Sequence, residues 1–436
     1  MKLSYDSFQQ HLSQNLRLHT QDTPLTLLVA YSGGLDSTVL LHLCCKLQEQ
    51  YSGYIVNAIH INHQLQTAAD EWQKHCESLC REFNIPLISK KVDIKSDPKS
   101  GTEAAAREAR YQVFSELLKE NQYLLTAHHK DDQVETLLLR LLRGTGLDGV
   151  AAMKALRPFA SGWLMRPLLI YSRGELETYA RVNHLHWVDD PSNSHNSYDR
   201  NFLRNEILPL LESRWPGYRE TLSRFTVHAQ THQALLEQCL DADYQHCIEG
   251  TELNITNLRQ YDTERQKYFI RRWISSKSYT MPGEKQLAEI FKLINAQQDA
   301  QPLVAWSDVE MRRFQNKLYL AKSMETFDAS QTFSWNPEQP LLIPGVGVLH
   351  CITQDITSLP ELFFIAFRQG GEECQLPGKQ GSHSLKKIFQ EHAVPPWLRY
   401  RTPLILMDGA IKAIPGIFSS IENIRFELEC FNVPVH

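Results

Sequence analysis

The stretch "AYSGGLDSTVLL" (residues 30–41) joins a short apolar run, "LTLLVAY" (25–31), to a longer amphipathic one (37–50). Gly33 and Gly34 stand at the joint, with Ser32 before them and Leu35, Asp36 and Ser37 after. The first run has the length and β-branched content of a buried strand, and the second has helical period. In an open parallel sheet, the C-terminal end of a strand that turns into a helix is where ligands bind. Glycines there let the backbone approach a ligand closely, and the free N–H groups at the helix start favour an anion. The physical expectation is a phosphate. Gly-Lys-Ser/Thr does not follow, nor does a third glycine at dinucleotide spacing, so neither familiar phosphate loop applies. The bland alternative is a Gly-Gly turn with Asp36 and Ser37 capping the helix.

Outward from this loop the first half of the chain alternates strand-like runs (54–61, 85–92, 123–129, 163–169) with helical stretches (68–84, 103–120, 131–143, 172–184). That alternation predicts an α/β unit with a parallel sheet and helices on both faces. From about Glu212 to residue 300 the period is helical, with no strand expected, and a strand pair, "VEMRRFQ" and "KLYLAK", closes the region. Residues 325–345 are rich in turn formers and read as a linker, and a small mixed α+β unit follows. At 436 residues the chain exceeds what one core supports, roughly 250 to 300 residues. The divisions expected are 1–213, 214–325, a linker and strand over 326–354, and 355–436.

No apolar run reaches the roughly 18 residues of a membrane span, and the first twenty residues lack the apolar core of a secretory signal; the expectation is a cytoplasmic protein with no membrane partner. Nine cysteines without a Cys-x-x-Cys pair read as reduced thiols. The net charge of −5 argues mildly against nucleic acid as a partner. One segment departs from it, because Leu376 to Arg401 carries Lys379, Lys386, Lys387, Arg399 and Arg401 against Glu391 alone, with Trp397 among them. A homodimer is left open.

"TAHHKDDQVETLLLRLLRGTGLDGVAAM" (126–153) begins at the end of the fourth strand, on the ligand edge of the sheet. Asp132 and Glu135 share a helix face, Asp132, Thr136, Arg140 and Arg143 make a polar stripe, and Leu137, Leu138, Leu141 and Leu142 are expected to bury the other side. Acids at the start and bases at the end of a surface helix would look the same; the nearby phosphate loop favours a ligand.

Ser32-Gly33-Gly34-Leu35-Asp36-Ser37 resembles the SGGxDS loop of the PP-loop ATP pyrophosphatases. Residues 126–153 resemble the AHHxDDQxET…RGxGxxG segment of the tRNA(Ile)-lysidine synthetases within that superfamily. "GTEAAAREARYQVF" (101–114), "WVDDPSNSHNSYDRNFLRNEILPLL" (187–211) and "LKKIFQEHAVPPWLRYRTPLI" (385–405) are similar to further elements of that family. "FRQGGEECQLPG" (367–378) departs from it, replacing an Arg-x-x-Gly-Asp run.

The resemblance implies an enzyme, a ligase using ATP and Mg²⁺. It would join free L-lysine to C2 of the wobble cytidine of a CAU-anticodon isoleucine tRNA through an adenylated cytidine. Ser32 to Ser37 would hold ATP, with Asp36 near the Mg²⁺, and Asp36, Asp132, Glu135 and Arg107 would be catalytic. Asp132 and Glu135 would hold the lysine ammonium. Arg110, Arg140, Arg143, Arg200, Asn201, Arg204, Lys386, Lys387, Arg399 and Arg401 would contact tRNA, in a PP-loop catalytic domain (1–213), a mostly helical tRNA-contacting domain (214–325) and a C-terminal tRNA-binding domain (355–436). A tRNA thiolase of the same superfamily is the alternative, though such enzymes generally need cysteines that this chain does not group. An RNA-binding protein with a degenerate nucleotide site is another, opposed by the intact loop.

Overall fold

The apolar run 25–31 sits at the centre of a six-stranded sheet because it can be covered on both faces. The computed structural model describes residues 2–16, 24–64, 69–92, 102–189, 199–277, 279–296, 303–324, 326–353, 362–378, 381–421 and 424–430. Within 1–239, one of the two compact units into which the chain divides, the order is α1 (Tyr5–Asn15), β1 (Leu25–Ala30), α2 (Leu35–Gln50), β2 (Tyr54–Asn62), α3 (Ala69–Glu82), β3 (Leu87–Lys91), α4 (Thr102–Leu117), β4 (Tyr123–Leu125), α5 (Lys130–Leu142), α6 (Leu147–Val150), β5 (Leu156–Phe159), β6 (Gly162–Met165), α7 (Arg173–Val182), α8 (Asp199–Phe202), a π-helical turn (Leu203–Ile207), α9 (Leu208–Arg214) and α10 (Tyr218–Cys239).

The sheet runs β3-β2-β1-β4-β6-β5. All pairs are parallel except the β5–β6 hairpin at the edge. Chain order reverses at β1, so the crevice between the C-terminal ends of β1 and β4 is the switch point where such sheets bind ligands. Leu27, Val29, Val56, Leu125 and Met165 pack with α2 residues Val39, Leu40 and Leu43 on one side of the sheet, and Leu28, Ile59, Leu124 and Leu164 pack with Val113 and Phe114 of α4 on the other.

The strand expected over 163–169 stops at Met165, because Arg166 turns away and Pro167 supplies no ladder donor. The strand expected over 123–129 pairs only to Leu125, which frees the backbone to carry the two histidines. Helix α5 does not bury all four leucines: Leu137 is buried, but Leu141 is 47% and Leu142 77% exposed. Its buried contacts are apolar at Val134, which packs with Leu208 and Tyr218, and polar at Gln133, which donates to the Met153 carbonyl (3.0 Å) and the Thr226 hydroxyl (3.1 Å), tying α5 to α10.

The unit 240–436 opens with α11 (Asp241–Cys247), β7 (Ile248–Glu249), β8 (Glu252–Asn254), α12 (Ile255–Leu258), α13 (Thr263–Ser276), α14 (Glu284–Asn295), β9 (Leu303–Trp306), β10 (Val309–Phe314) and β11 (Lys317–Lys322). The expected strand pair is present as β10 and β11. Where no strand was expected, β7 and β8 form a tight hairpin turning at Gly250 (φ +66°) and complete a five-stranded sheet. Two- and three-residue strands leave no readable period. For the same reason the turn-rich linker hides strands at Phe333–Trp335 and Leu341–Ile343, which join two further antiparallel sheets with Phe363–Ala366, Leu404–Met407, Gly347–Thr353 and Ile424–Cys430. A short helix, Leu385–Glu391, carries Lys386 and Lys387. No helix among the described residues is long and apolar enough to cross a membrane.

Candidate active site

Gly33 is the hinge of the loop after β1. Its φ of +85° suits glycine, and a Cβ there would lie 2.9 Å from the Cys76 sulfur. Gly34 is the N-cap of α2 and offers no side chain to the helix, so the first N–H groups of a sixteen-residue helix keep their donors for an anion. Ser37 is turned back: its hydroxyl donates to the Gly34 carbonyl (3.0 Å) and accepts from the Ser32 amide (3.2 Å). The Ser32 and Ser37 hydroxyls lie 3.0 Å apart. Leu35 is buried and anchors the loop in the core.

One strand over, the chain leaves β4 and enters α5 through His128 and His129. Asp132 Oδ2 accepts the His129 backbone N–H at 2.9 Å and so caps the helix. The His129 ring is buried among three carboxylates, with Nε2 3.5 Å from Asp36 and 3.5 Å from Asp132, and Nδ1 3.6 Å from Asp131. Burial disfavours its charge, but Asp132, Asp36 and Asp131 outweigh burial and raise it to about 9. It is therefore an imidazolium at neutral pH, joining the loop after β1 to the helix after β4. His128 goes the other way. Burial pushes it down to about 3, Asp132 opposing and Arg166, Arg200 and Arg107 adding, and its Nδ1 lies 2.9 Å from the Thr126 hydroxyl.

Asp132 and Glu135 face one side of α5, and Arg200 and Arg204 meet them from α8 and the π-helical turn. Arg200 donates to Glu135 Oε2 and Asp132 Oδ1, both at 2.7 Å. Arg204 donates to the two oxygens of Glu135 at 2.7 and 2.9 Å. Glu135 has no exposed side-chain surface, whereas the arginines keep 31% and 27% of theirs. Burial works against the Asp132 carboxylate, but His129, Arg200 and His128 hold it well below the usual range. Asp131 completes the cluster, accepting from Arg219 at 2.6 Å. Asp36, Asp131, Asp132 and Glu135 thus face His129, Arg200, Arg204 and Arg219, with Arg219 shared at the edge of the cluster with a fifth carboxylate, Glu212.

The other residues singled out by the sequence are more dispersed. Arg107 is exposed on α4, stacked 4.9 Å from the Tyr111 ring centre. Arg110 donates to His63 at 3.3 Å. Arg140 donates to the carbonyls of Gly149 (3.1 Å) and Ala152 (3.0 Å), closing the turn around α6. Arg143 is exposed, 3.5 Å from Asp199, and Asn201 lies beside Arg200 on α8. Lys386 and Lys387 are exposed. Arg399 donates to the Val394 carbonyl (2.9 Å) and Arg401 to the Gly345 carbonyl (2.6 Å). Lys379, Asp190 and Asn193 lie outside the described residues. His129, Arg166 and Arg219 were missed; the doubled histidine before two aspartates was the one local signal for His129.

A Mg²⁺ ion fits Asp36, whose Oδ1 is buried without a hydrogen-bond partner. Magnesium typically takes one or two carboxylates and the substrate's phosphates, not an all-protein cage, and no cluster of three or more metal-ligating side chains occurs among the described residues.

A loop of this geometry at the switch point of a parallel sheet defines a nucleotide-binding domain of the PP-loop type. Residues 5–211 match the family model of the PP-loop domain. Residues 253–319 match that of the TilS substrate binding domain, and residues 363–427 that of the TilS substrate C-terminal domain. The chain is 39% identical to the tRNA(Ile)-lysidine synthase of Coxiella burnetii, over 89% of this chain and 88% of the relative. It is 37% identical to that of Methylococcus capsulatus, over 100% and 99%, and 38% identical to that of Escherichia coli O157:H7, over 92% and 94%. The chain belongs to the tRNA(Ile)-lysidine synthase family.

Proposed function

We propose that this ligase uses ATP to join free L-lysine to C2 of the wobble cytidine of the CAU-anticodon isoleucine tRNA, in the cytoplasm. The observation that carries the chemistry is the joining of the glycine loop to the acidic pair on α5 through the His129 imidazolium. The cytidine, taken out of its stack as enzymes acting on a base require, attacks the α-phosphate of ATP through its O2 and displaces pyrophosphate. The lysine ε-amine then attacks C2, and AMP leaves.

Ser32 to Ser37 and the N-terminus of α2 hold the pyrophosphate. Asp36 would hold a Mg²⁺ ion, which would offset the phosphate charge when bound. Asp132 and Glu135 receive the α-ammonium of lysine. Because those carboxylates already carry two guanidiniums, lysine enters by exchange: Arg200 and Arg204 give up the acidic pair and turn to phosphate, with Asn201 beside them. The incoming α-ammonium replaces the charge of one departing arginine and the second departure leaves the cluster one charge more negative, whereas adding a cation without any exchange would crowd like charges together. The ε-amine, ordinarily near 10.4, is nearly all protonated at neutral pH, and neighbouring carboxylates would make this worse. Placing the α-ammonium on the acidic pair keeps the ε-amine away from it. His129 stays charged and His128 is too weakly basic, so neither takes the amine proton.

Arg107 faces the nucleotide from α4. Arg110 and Arg143 and the segments 214–325 and 355–436, with Lys386 and Lys387, form the tRNA-contacting parts, while Arg140, Arg399 and Arg401, which end on backbone carbonyls, hold the shape of their segments. The test is incorporation of radiolabelled lysine into the CAU isoleucine tRNA with ATP and Mg²⁺, comparing the wild type with Asp36→Ala. The expected result is label with the wild type and a loss of at least a thousandfold with the variant. Cleavage of ATP to AMP without label would keep the adenylating step and move the nucleophile elsewhere.

A further inference from the structure

Arg166 follows β6, on the same edge of the sheet as His128 and two strands from the glycine loop. It is 5% exposed. Its backbone N–H donates to the Ala155 carbonyl (2.7 Å) and its Nη1 to the Lys154 carbonyl (2.7 Å), while its Nε is buried with no hydrogen-bond partner. Buried guanidiniums ordinarily face a carboxylate. The groups that act most on this one are Tyr111, whose phenol oxygen also accepts from it, Arg157 and Arg107, and no carboxylate is among them. Burial pulls it down to about 10, the Tyr111 phenol opposing and the two arginines adding, so it is still charged at neutral pH.

The surroundings are built. Arg107 stacks 4.9 Å from the Tyr111 ring centre and Arg157 5.3 Å from that of Phe159, and the two rings pack edge to face at 5.6 Å. Two partly or fully exposed guanidiniums are thereby held on an aromatic pair beside a buried third; Arg166 is at the ligand edge of the sheet and Arg157, opposite Leu164, stands just inside it. Such a concentration of positive charge is an anion site.

The position and number of the cations select among anions. Adjacent strands are about 4.8 Å apart, so the end of β6 lies roughly 10 Å from the end of β1, and the Arg166 fork is turned to the Lys154 carbonyl rather than to the glycine loop. A single amino-acid carboxylate needs one fork, not three cations. An RNA backbone brings successive phosphates, which a row of arginines with one buried member matches. We propose that Arg166, with Arg157 and Arg107 at its rim, holds a backbone phosphate of the single-stranded RNA loop that carries the target nucleotide. The proposal rests on the function given above and assigns the strand's position on the catalytic unit.

The test is binding of a fluorescent CAU anticodon stem–loop RNA to the full chain, without ATP or lysine, as a function of salt. Arg166→Gln and Arg157→Gln are each expected to make the slope of log affinity against log salt shallower by about 0.7 to 0.9. They should raise the KM for tRNA while leaving that for lysine within twofold. Arg157 is only half-buried, so its variant tests the site even if Arg166→Gln fails to fold. Unchanged slopes with folded variants would overturn the proposal. So would a tenfold rise in the KM for lysine with RNA binding intact, which would make the occupant the amino-acid carboxylate. Because the stem–loop is read without turnover, a wild type that binds it through Arg166 but incorporates no lysine would count against the proposed function, not against the phosphate site.

Discussion

Arg200 and Arg204 in one unit and Arg399 and Arg401 in the other look alike in the sequence, as paired arginines expected to meet RNA, but they are held differently. The first pair ends on carboxylates, with four bonds of 2.7 to 2.9 Å to Asp132 and Glu135. The second pair ends on backbone carbonyls, those of Val394 and Gly345. An ion pair can be exchanged, because each partner keeps its charge and accepts another opposite charge in its place. A guanidinium that leaves a part-buried carbonyl, as Arg399 would leave that of Val394, strands the acceptor, whereas the exposed Gly345 carbonyl can turn to water when Arg401 leaves. The first pair is therefore suited to trade partners during a reaction and the second to fix the fold, leaving the exposed Lys386 and Lys387, the latter 3.8 Å from Glu391, as the cations of their short helix that can turn to RNA.

The comparison breaks most visibly if the acidic pair is removed. Glu135→Ala leaves both guanidiniums to Asp132 alone, at 2.7 and 3.4 Å, and is expected to cost about 3 kcal/mol in chemical unfolding, whereas Arg200→Met should cost less because Glu135 keeps Arg204. Next is the pH dependence of the same cluster. His129 is raised in the folded chain from its ordinary 6.5 to about 9. Its stabilisation is thus fully present below about pH 6.5 and is lost as pH rises through about 9, on the order of 3 kcal/mol in all. Unfolding followed between pH 6 and 10 should show that fall in the wild type and a flatter profile in His129→Asn.

Smaller effects sharpen the other side. Arg399→Ala and Arg401→Met should each lose about 1 kcal/mol of stability, seen as a lower Tm, with RNA affinity changed less than twofold. Lys386→Gln and Lys387→Gln should leave the Tm alone and each make the salt dependence of tRNA binding shallower by about 0.7 to 0.9. If instead Arg401→Met weakened RNA binding at unchanged Tm, the division between exchangeable and structural arginines would fail.

Most of the first unit was legible because its strands and helices are long enough to show a period, and because Gly33 and Gly34 mark the junction where a parallel sheet binds ligands. The hairpin Ile248–Asn254 was not, since strands of two and three residues carry no alternation. Spacing placed Asp132 and Glu135 on one helix face correctly. It could not show that Arg200 would fold back onto Glu135, 65 residues away in the chain, at 2.7 Å. Arg166 was unreadable for a related reason: "WLMRPLL" reads as a strand, and only three dimensions reveal that its arginine is buried beside other cations.

The central claim is that one acidic pair serves arginines first and the lysine ammonium afterwards. The most direct measurement is the KM for lysine of Glu135→Gln, which keeps the shape of the side chain and removes its charge, taken alongside the KM for tRNA. A rise of tenfold or more for lysine, with tRNA within twofold, is the predicted result. An unchanged KM for lysine in a folded, active variant would contradict the account and move the ammonium site elsewhere.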